Sequence, residues 1–488
     1  MAISLTVIVV PCVIIAIIAL ILTGKINRMV LSLSGALIVI FVLLFDPNPP
    51  GPVDFQIIMG FLFGTPANGY INFHSVLFIL GMMILLAICS ETGVFSYIAF
   101  KVVQQTGGNE YLLLFIMSLL SFVFSAILNN ILTVLLLIPL TITICKILRI
   151  NPIPFILAEA MVTNLGGILF SISSIPNLLI TQSIDWSFGQ FFVDVGLFAI
   201  ILLLITFIVL AGYNKKRLET PSKRLVMVLR EYNAWVFVKD RNTFYKSFIV
   251  LITTIGLVII LPFFIPIEIS LIAMSGGIIL VILVQRKDIP KLMKNLDIQL
   301  IFYLLGIFLI SDALEFTGLL DYISQGLIGI TGGNIVITAV VVLWASGGLS
   351  SVIDNAPITK ILIPVIKDVI GYTPGVPIST EGFTIFSALA YGTNLGDNLA
   401  PTGDNTLVMQ IVDTYHTKSI SLKEFFQIGL LTTTTQLITI TVYLVIRLIP
   451  EFLFIGILLI ILIAVVLLVI FYTRSIFNYL KKLIRKEK

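Results

Sequence analysis

Charged residues, cysteine and histidine are all scarce in this chain. Of its 488 residues, 11% are charged and 58% are hydrophobic. A soluble protein of this length needs far more charge to cover its surface, so water is excluded as the main solvent. The three cysteines stand apart in apolar runs, which excludes a disulfide framework and a zinc site. The two histidines are too few for a metal cluster.

Motifs for nucleotide binding and for catalysis are also lacking. Without a phosphate-binding motif, the chain has no site from which ATP could drive pumping. It has no nucleophile elbow, histidine cluster or Ser–Lys arrangement of the kind an intramembrane enzyme uses. We therefore expect no enzymatic activity, no cofactor and no nucleic-acid partner.

Long apolar runs, in contrast, are abundant. Runs such as 247–264 and 452–473 are close to the roughly 20 residues that a helical span needs. They do not alternate as the strands of a membrane barrel do. The sequence therefore predicts an all-α polytopic protein of the lipid bilayer.

The basic residues predict the topology. Most Lys and Arg lie at 25–28, 215–246, 286–294 and 474–488, and the positive-inside rule places such segments in the cytoplasm. The first apolar run precedes its positive charges, which favours an uncleaved span over a signal peptide. We expect a plasma or inner membrane location, with the N-terminus outside and the C-terminus cytoplasmic.

The two halves of the chain carry a repeat. Residues of types that seldom recur by chance return in the second half in the same order. Gly81, Thr92, Gly93, Tyr97, Ile98, Asn130 and Pro139 recur at one spacing as Gly306, Thr317, Gly318, Tyr322, Ile323, Asn355 and Pro364. Slightly further on, Asn164-Leu165-Gly166 recurs as Asn394-Leu395-Gly396. The first copy begins outside and the second inside, so the repeats are inverted, as in many secondary transporters.

This repeat divides the chain. We expect a first repeat at 1–214, a basic cytoplasmic linker at 215–246 and a second repeat at 247–450. An extra span and a basic tail occupy 451–488. The linker is open to three interpretations: regulatory, lipid-binding or a topological anchor. Each repeat should contain a re-entrant hairpin, at about 111–148 and 335–369, and a broken helix, at about 154–182 and 383–412.

Polar residues at the hairpin tips and at the helix breaks are the candidate binding residues. At membrane depth they should face a polar cavity, because exposure to lipid costs several kcal/mol. Glycine-rich breaks free backbone carbonyls for cations. The first-half candidates are Asn129, Asn130, Thr133, Asn164, Gly166, Gly167, Ser173, Ser174 and Asn177. The second-half candidates are Asp354, Asn355, Asn394, Gly396, Asp397, Asn398, Thr402, Asp404 and Asn405.

Several of these residues have a second interpretation. Gly166-Gly167 alone is typical of helix packing, and the stretch with Asp397 and Asp404 could be an extramembrane loop. Glu159 is either a pairing partner or a candidate proton carrier. Lys360 is either a surface lysine that reaches the interface or a salt-bridge partner.

The same segments resemble the ion transporter superfamily, in its branch of arsenite permeases, sodium–proton antiporters and the P protein, with a citrate-transporter-like domain. The resemblance covers roughly 75–182 and 300–412. It is carried by Gly81-Met82-Met83-Ile84-Leu85, Ser90-Glu91-Thr92-Gly93-Val94-Phe95, Ser125-Ala126-Ile127-Leu128-Asn129-Asn130, Ala158-Glu159 and Ser351-Val352-Ile353-Asp354-Asn355-Ala356-Pro357.

The resemblance implies a homodimer with scaffold and transport domains, elevator-type motion, and coupling to sodium ions or protons. Two departures concern the first half. Asn129 stands where the family often has Asp, and the family's Gly-Asp-Pro-Pro-Asn stretch is Ser173-Ser174-Ile175-Pro176-Asn177 here. The family's cation role therefore transfers more directly to the second half.

The substrate hypothesis follows from the carboxylates. They disfavour an anion unless cations neutralise them, whereas sodium suits hard oxygen ligands. We expect cation–proton antiport, with sodium at Asp354, Asn355, Asp397 and Asp404. The alternative is sodium- or proton-coupled transport of a small anion, either a di- or tricarboxylate or an oxyanion such as arsenite. An ion channel is a third, weaker hypothesis, because channels are usually built by rotation about the membrane normal.

Overall fold

The computed structural model describes residues 4–22, 25–66, 70–265, 267–284, 296–373, 375–399, 404–415 and 420–467. Within these ranges all regular structure is helical. Eight of the described helices are long and apolar enough to cross a membrane. The predicted all-α polytopic class is confirmed.

Several apolar helices of the first half begin at a polar residue whose side chain caps them. Asn27 accepts a hydrogen bond from the Met29 amide at 2.9 Å, which caps the second helix. The helix Phe188–Asn214 includes a π-helical turn at Phe192–Gly196. The helices are α1 Leu5–Leu22, α2 Arg28–Phe45, α3 Phe55–Phe63, α4 Ile71–Glu91, α5 Val94–Val103, α6 Glu110–Ser125, α7 Asn130–Leu148, α8 Ile153–Gly166, α9 Ile175–Ser183 and α10 Phe188–Asn214.

The linker helix and the second half follow. Gln104 holds the linker on the first half, because its amide donates to the carbonyls of Leu229 at 2.9 Å and Tyr232 at 2.7 Å. The helices are α11 Lys223–Glu231, α12 Arg241–Ile260, α13 Ile269–Val284, α14 Ile298–Phe316, α15 Leu319–Thr331, α16 Ile335–Ser350, α17 Asn355–Val369, α18 Thr380–Gly396, α19 Asp404–Thr414, α20 Leu422–Leu448 and α21 Pro450–Leu467.

Equivalent turns begin equivalent helices in the two halves. Gly93 and Gly318 precede α5 and α15, and both are left-handed, with φ of +82° and +71°. Glycine adopts this conformation without the steric cost that a Cβ brings. Asn109 and Asn334 then cap α6 and α16 through their side-chain oxygens. The repeat seen in the sequence is therefore a repeat of local structure.

The long helix of each half packs on the entry helices of the other half. α4 contacts α13, and α14 contacts α2. Glycines allow the close approach: a Cβ on Gly81 would lie 2.5 Å from the Met274 amide nitrogen, and one on Gly306 would lie 2.8 Å from the backbone of Ser32. These four helices are called the scaffold below.

Each half also contains a hairpin and a broken helix. The first hairpin is α6–α7 and the second is α16–α17; the first broken helix is α8–α9 and the second is α18–α19. The first helix of each hairpin packs on the broken helix of its own half, α6 on α8 and α16 on α18. The second helix contacts the far piece of the other broken helix, α7 on α19 and α17 on α9. Reciprocal contacts of this kind are expected for two-fold-related repeats.

Candidate functional site

The tip of the first hairpin is held by its own asparagines. Asn129 caps α7 by accepting from the Leu132 amide at 2.8 Å. The buried Asn130 accepts from the Ser125 hydroxyl at 2.8 Å and donates to Asn164 Oδ1 at 2.6 Å. The tip is thus bonded directly to the first broken helix.

Asparagine side chains connect the two broken helices. Asn164 Nδ2 donates to Asn398 Oδ1 at 2.9 Å, and Asn398 Nδ2 donates to the Met161 carbonyl at 3.0 Å. In the opposite direction, Asn394 Nδ2 donates to Asn177 Oδ1 at 2.9 Å. Both breaks therefore meet in one buried amide network.

Gly167 lies close to several side-chain oxygens of this network. A Cβ on Gly167 would lie 3.4 Å from Asn130 Oδ1 and 3.5 Å from Asn394 Oδ1. Asn394 is 1% exposed, and its Oδ1 accepts no hydrogen bond from the described residues. A buried acceptor without a donor is costly, and a bound cation would satisfy it.

The second hairpin makes the corresponding contacts through a carboxylate. Asn355 Nδ2 donates to Asp397 Oδ2 at 3.0 Å, and the Ser350 hydroxyl lies 3.1 Å from Asp397 Oδ1. Ser350 also donates to the Thr393 carbonyl at 2.6 Å, as Ser125 does to the Thr163 carbonyl at 2.6 Å. Asn405 Nδ2 donates to the Asp397 carbonyl at 2.6 Å. The first half has Gly167 where the second half supplies the Asp397 charge.

Asp354, at the second tip, lies beside an arginine. Its Oδ2 is 3.4 Å from Nη1 of Arg28, at the start of α2. Arg28 Nη2 is also 3.9 Å from Asp297 Oδ2, and its guanidinium lies 5.4 Å from the centre of the Tyr303 ring. From the sequence, Arg28 was identified only as one of the basic residues that predict the topology.

Lys360 forms an ion pair, which decides between its two interpretations. Its Nζ lies 2.9 Å from Asp312 Oδ1 and donates to Asn72 Oδ1 at 2.9 Å. Asn72 Nδ2 donates to Asp312 Oδ2 at 2.9 Å, so α4, α14 and α17 are joined. Lys360 and Asp312 line a cavity of about 490 Å³. Asn72 and Asp312 were not among the residues predicted from the sequence, although a carboxylate inside the apolar α14 was a usable signal.

Glu159 is buried between helices of the first half. Its Oε1 accepts from the Thr141 hydroxyl at 2.5 Å, and its Oε2 has no hydrogen-bond partner among the described residues. Among the described residues it forms no ion pair within 4 Å, and it lies more than one helical turn before Asn164 on α8. It remains a candidate proton carrier.

The other candidates have local roles. A Cβ on Gly166 would lie 2.3 Å from the Phe122 carbonyl oxygen, and one on Gly396 would lie 2.3 Å from the Gly347 carbonyl oxygen, so both glycines serve helix packing. The Thr133 hydroxyl donates to the Asn129 carbonyl. Ser173 and Ser174, with Asn129, line a cavity of about 60 Å³ against α4.

Part of the predicted second-half site is not described. Thr402 lies outside the described residues, and so does the side chain of Asp404, whose backbone begins α19. Among the side chains that are described, no three His, Cys, Asp or Glu converge as a metal site. The described site is therefore rich in amide oxygens and has a single carboxylate, Asp397, within it.

Comparison with known proteins agrees with this architecture. The sequence model of the family described as citrate transporter matches residues 18–385. The chain belongs to this family. An uncharacterized transporter of Mycobacterium bovis is 27% identical over 430 residues, which cover 88% of this chain and 95% of that protein. The chain is a multi-pass membrane transporter.

Two further matches bear on the predicted resemblance. The mouse P protein is 26% identical over 435 residues, which cover 74% of this citrate transporter family member and 52% of the P protein. The YdaH transporter of Alcanivorax borkumensis, reported to have an unusual topology, shares the fold with a TM-score of 0.55 at 13% identity, over 86% of this chain and 98% of that one. The predicted membership of the ion transporter superfamily is confirmed.

Proposed function

We propose that this chain exchanges sodium ions for protons. One observation carries the proposal: two hairpin tips and two helix breaks meet in a buried set of amide and carboxylate oxygens, one of which, Asn394 Oδ1, lacks a donor among the described residues. Hard cations bind oxygen ligands, and broken helices of inverted-repeat transporters coordinate Na⁺ or H⁺.

The charge for exchange would come from Asp397. Its carboxylate is held by Asn355 and Ser350 and sits beside the amide network. One carboxylate can hold a proton or share a sodium ion but does not do both at once, which is the requirement of exchange. Asn130 and Asn394 would supply neutral oxygens around Gly167.

The first experiment uses purified protein in liposomes with a trapped pH dye and an imposed sodium step. We expect sodium-dependent proton movement in the wild type and its loss in Asp397→Asn, which removes the charge but keeps the shape. Glu381→Gln is the matched control, since Glu381 is an exposed carboxylate in the first turn of the same broken helix. It should transport like the wild type.

Antiport is rejected if the wild type moves no protons when sodium is applied. It is also rejected if Asp397→Asn and Glu381→Gln exchange at the same rate, because Asp397 would then carry no coupled ion.

A second candidate function is cation-coupled transport of a small carboxylate. It is favoured by the Arg28 guanidinium, which lies 3.4 Å from the second tip and could meet an anion there. The family description, citrate transporter, points the same way. Sodium-dependent accumulation of labelled citrate in the same liposomes, without proton movement, would select this function.

The cellular setting is proposed on the same basis. The positive-inside rule supports a plasma or inner membrane protein with an external N-terminus and a cytoplasmic C-terminus. The family resemblance supports a homodimer that moves its hairpins and broken helices as an elevator against the scaffold. The partners would be a small inorganic ion or anion and the lipid bilayer, without a cofactor.

A further inference from the structure

Arg28 belongs to the scaffold, whereas the carboxylate that it contacts belongs to the second hairpin. Arg28 begins α2, Asp297 is the N-cap residue just before α14, and Tyr303 lies within α14. α2 and α14 pack closely, with Ser32 against Gly306. These three residues therefore share one surface, and Asp354 approaches it from the hairpin tip at 3.4 Å.

Asp354 is also next to the candidate ion site. It precedes Asn355, whose amide binds the Asp397 carboxylate at 3.0 Å. A cation at this tip and the Arg28 guanidinium would therefore stand close to the same negative charges and repel each other.

We propose that Arg28 is a tethered competitor of the transported cation. With no cation bound, Arg28 neutralises Asp354 and holds the second hairpin against α2 and α14. A bound cation neutralises Asp354 in place of Arg28, and the hairpin is then released from Arg28. This inference deepens the proposed function and rests on it.

Replacing Asp297 should have the opposite effect on sodium binding to replacing Arg28. Asp297 shares the guanidinium with Asp354, and its Oδ1 accepts from the Leu300 amide at 3.0 Å to cap α14. Asn caps helices as well as Asp does, so Asp297→Asn should keep the fold. Without this second carboxylate, the Arg28 guanidinium would pair more strongly with Asp354 and should compete more strongly with the cation.

The experiment measures the sodium concentration for half-maximal proton flux in liposomes of the full-length protein. In Arg28→Gln it should fall about twofold to fivefold, the range for a partly exposed ion pair. In Arg28→Lys, which keeps the charge, it should stay near the wild-type value. In Asp297→Asn it should rise. An unchanged or higher value in Arg28→Gln would overturn the inference, and so would an unchanged or lower value in Asp297→Asn.

A binding measurement separates this inference from the proposed function. The melting temperature of the purified protein is followed as sodium chloride replaces choline chloride. One outcome is that the sodium concentration at the midpoint of the change in melting temperature falls in Arg28→Gln while no proton flux is seen. That result would support competition by Arg28 and reject antiport. A midpoint that does not move would reject the competitor. Loss of labelled citrate uptake in Arg28→Gln would make Arg28 an anion ligand and overturn the inference. If Arg28→Gln does not fold, Asp297→Asn decides alone.

Discussion

Gly166 and Gly167 are adjacent in the chain but meet different surroundings. A Cβ on Gly166 would lie 2.3 Å from the Phe122 carbonyl oxygen, a distance that no real side chain tolerates. The nearest neighbour of a Cβ on Gly167 would be the Asn164 carbonyl oxygen, at 3.3 Å, and the side-chain oxygens of Asn130 and Asn394 would lie just beyond it. One glycine allows helix packing, and the other leaves room beside the network.

The two alanine substitutions should therefore separate stability from ion binding. Gly166→Ala should destabilise the protein by about 1–3 kcal/mol, because α6 and α8 must move apart. Gly167→Ala should change the melting temperature less but weaken sodium binding, since its methyl group would occupy space that faces Asn130 and Asn394. Thermal unfolding and sodium titration of both variants test this. Equal melting temperatures, or undiminished sodium affinity in Gly167→Ala, would contradict it.

For individual residues, the sequence predicted which residues belong to the candidate site better than it predicted which residues they contact. Asn164, Asn394 and Asn398 could be selected because amides in glycine-rich breaks are conspicuous in an apolar chain. The contact of Arg28 with Asp354 could not, because it joins residues 326 positions apart and follows no local period. The roles of the selected residues remain predictions.

Among the elements, α17 is tied to the scaffold at two levels. Asp354, just before its first residue, lies at Arg28, and Lys360 lies at Asp312 and Asn72 further along. Both links are charged, and both must change partners if the second hairpin slides along α14.

The inner part of this attachment can be tested through Lys360. Lys360→Gln should destabilise the protein by about 1–3 kcal/mol, because Asp312 keeps its charge in a largely enclosed place. Adding Asp312→Asn should recover part of the loss. Lys367→Gln is the control on the same helix: Lys367 lies 4.7 Å from the centre of the Tyr372 ring, so its loss should stay within about 1 kcal/mol. Equal losses in the two lysine variants, measured by chemical unfolding, would contradict the prediction.

Helices were easier to predict than the short elements between them. Long apolar runs and recurring Gly and Asn residues identify spans and turns from local chemistry alone. α3 was not predicted, because nine residues flanked by prolines and glycines give a weak helical signal. The domain boundaries drawn from the repeat remain predictions.

For the whole molecule, the crosswise packing makes each half dependent on the other. α4 packs against α13 and α14 packs against α2. The far pieces of the broken helices, α9 and α19, lie against the hairpins of the opposite halves. The linker crosses between the halves on the exposed residues Lys239 and Asp240.

A chain divided between Lys239 and Asp240 should therefore work only when both parts are made together. Co-expressed fragments should assemble and restore sodium-dependent proton flux, and either fragment alone should not. Co-purification through a tag on one fragment, followed by the liposome assay, tests this. An active single fragment would show that the crosswise contacts are dispensable.

The reciprocal contacts of α7 with α19 and α17 with α9 also constrain how such a chain could have arisen. A half-length ancestor has neither contact within itself, so it could make both only with a second copy inserted upside down in the bilayer. Such an ancestor would have needed to enter the membrane in both orientations to form these contacts. If each copy has an odd number of crossings, fusing two copies end to end would make the opposite orientations permanent. The copies could then diverge, and one now has a glycine at position 167 where the other has an aspartate at position 397.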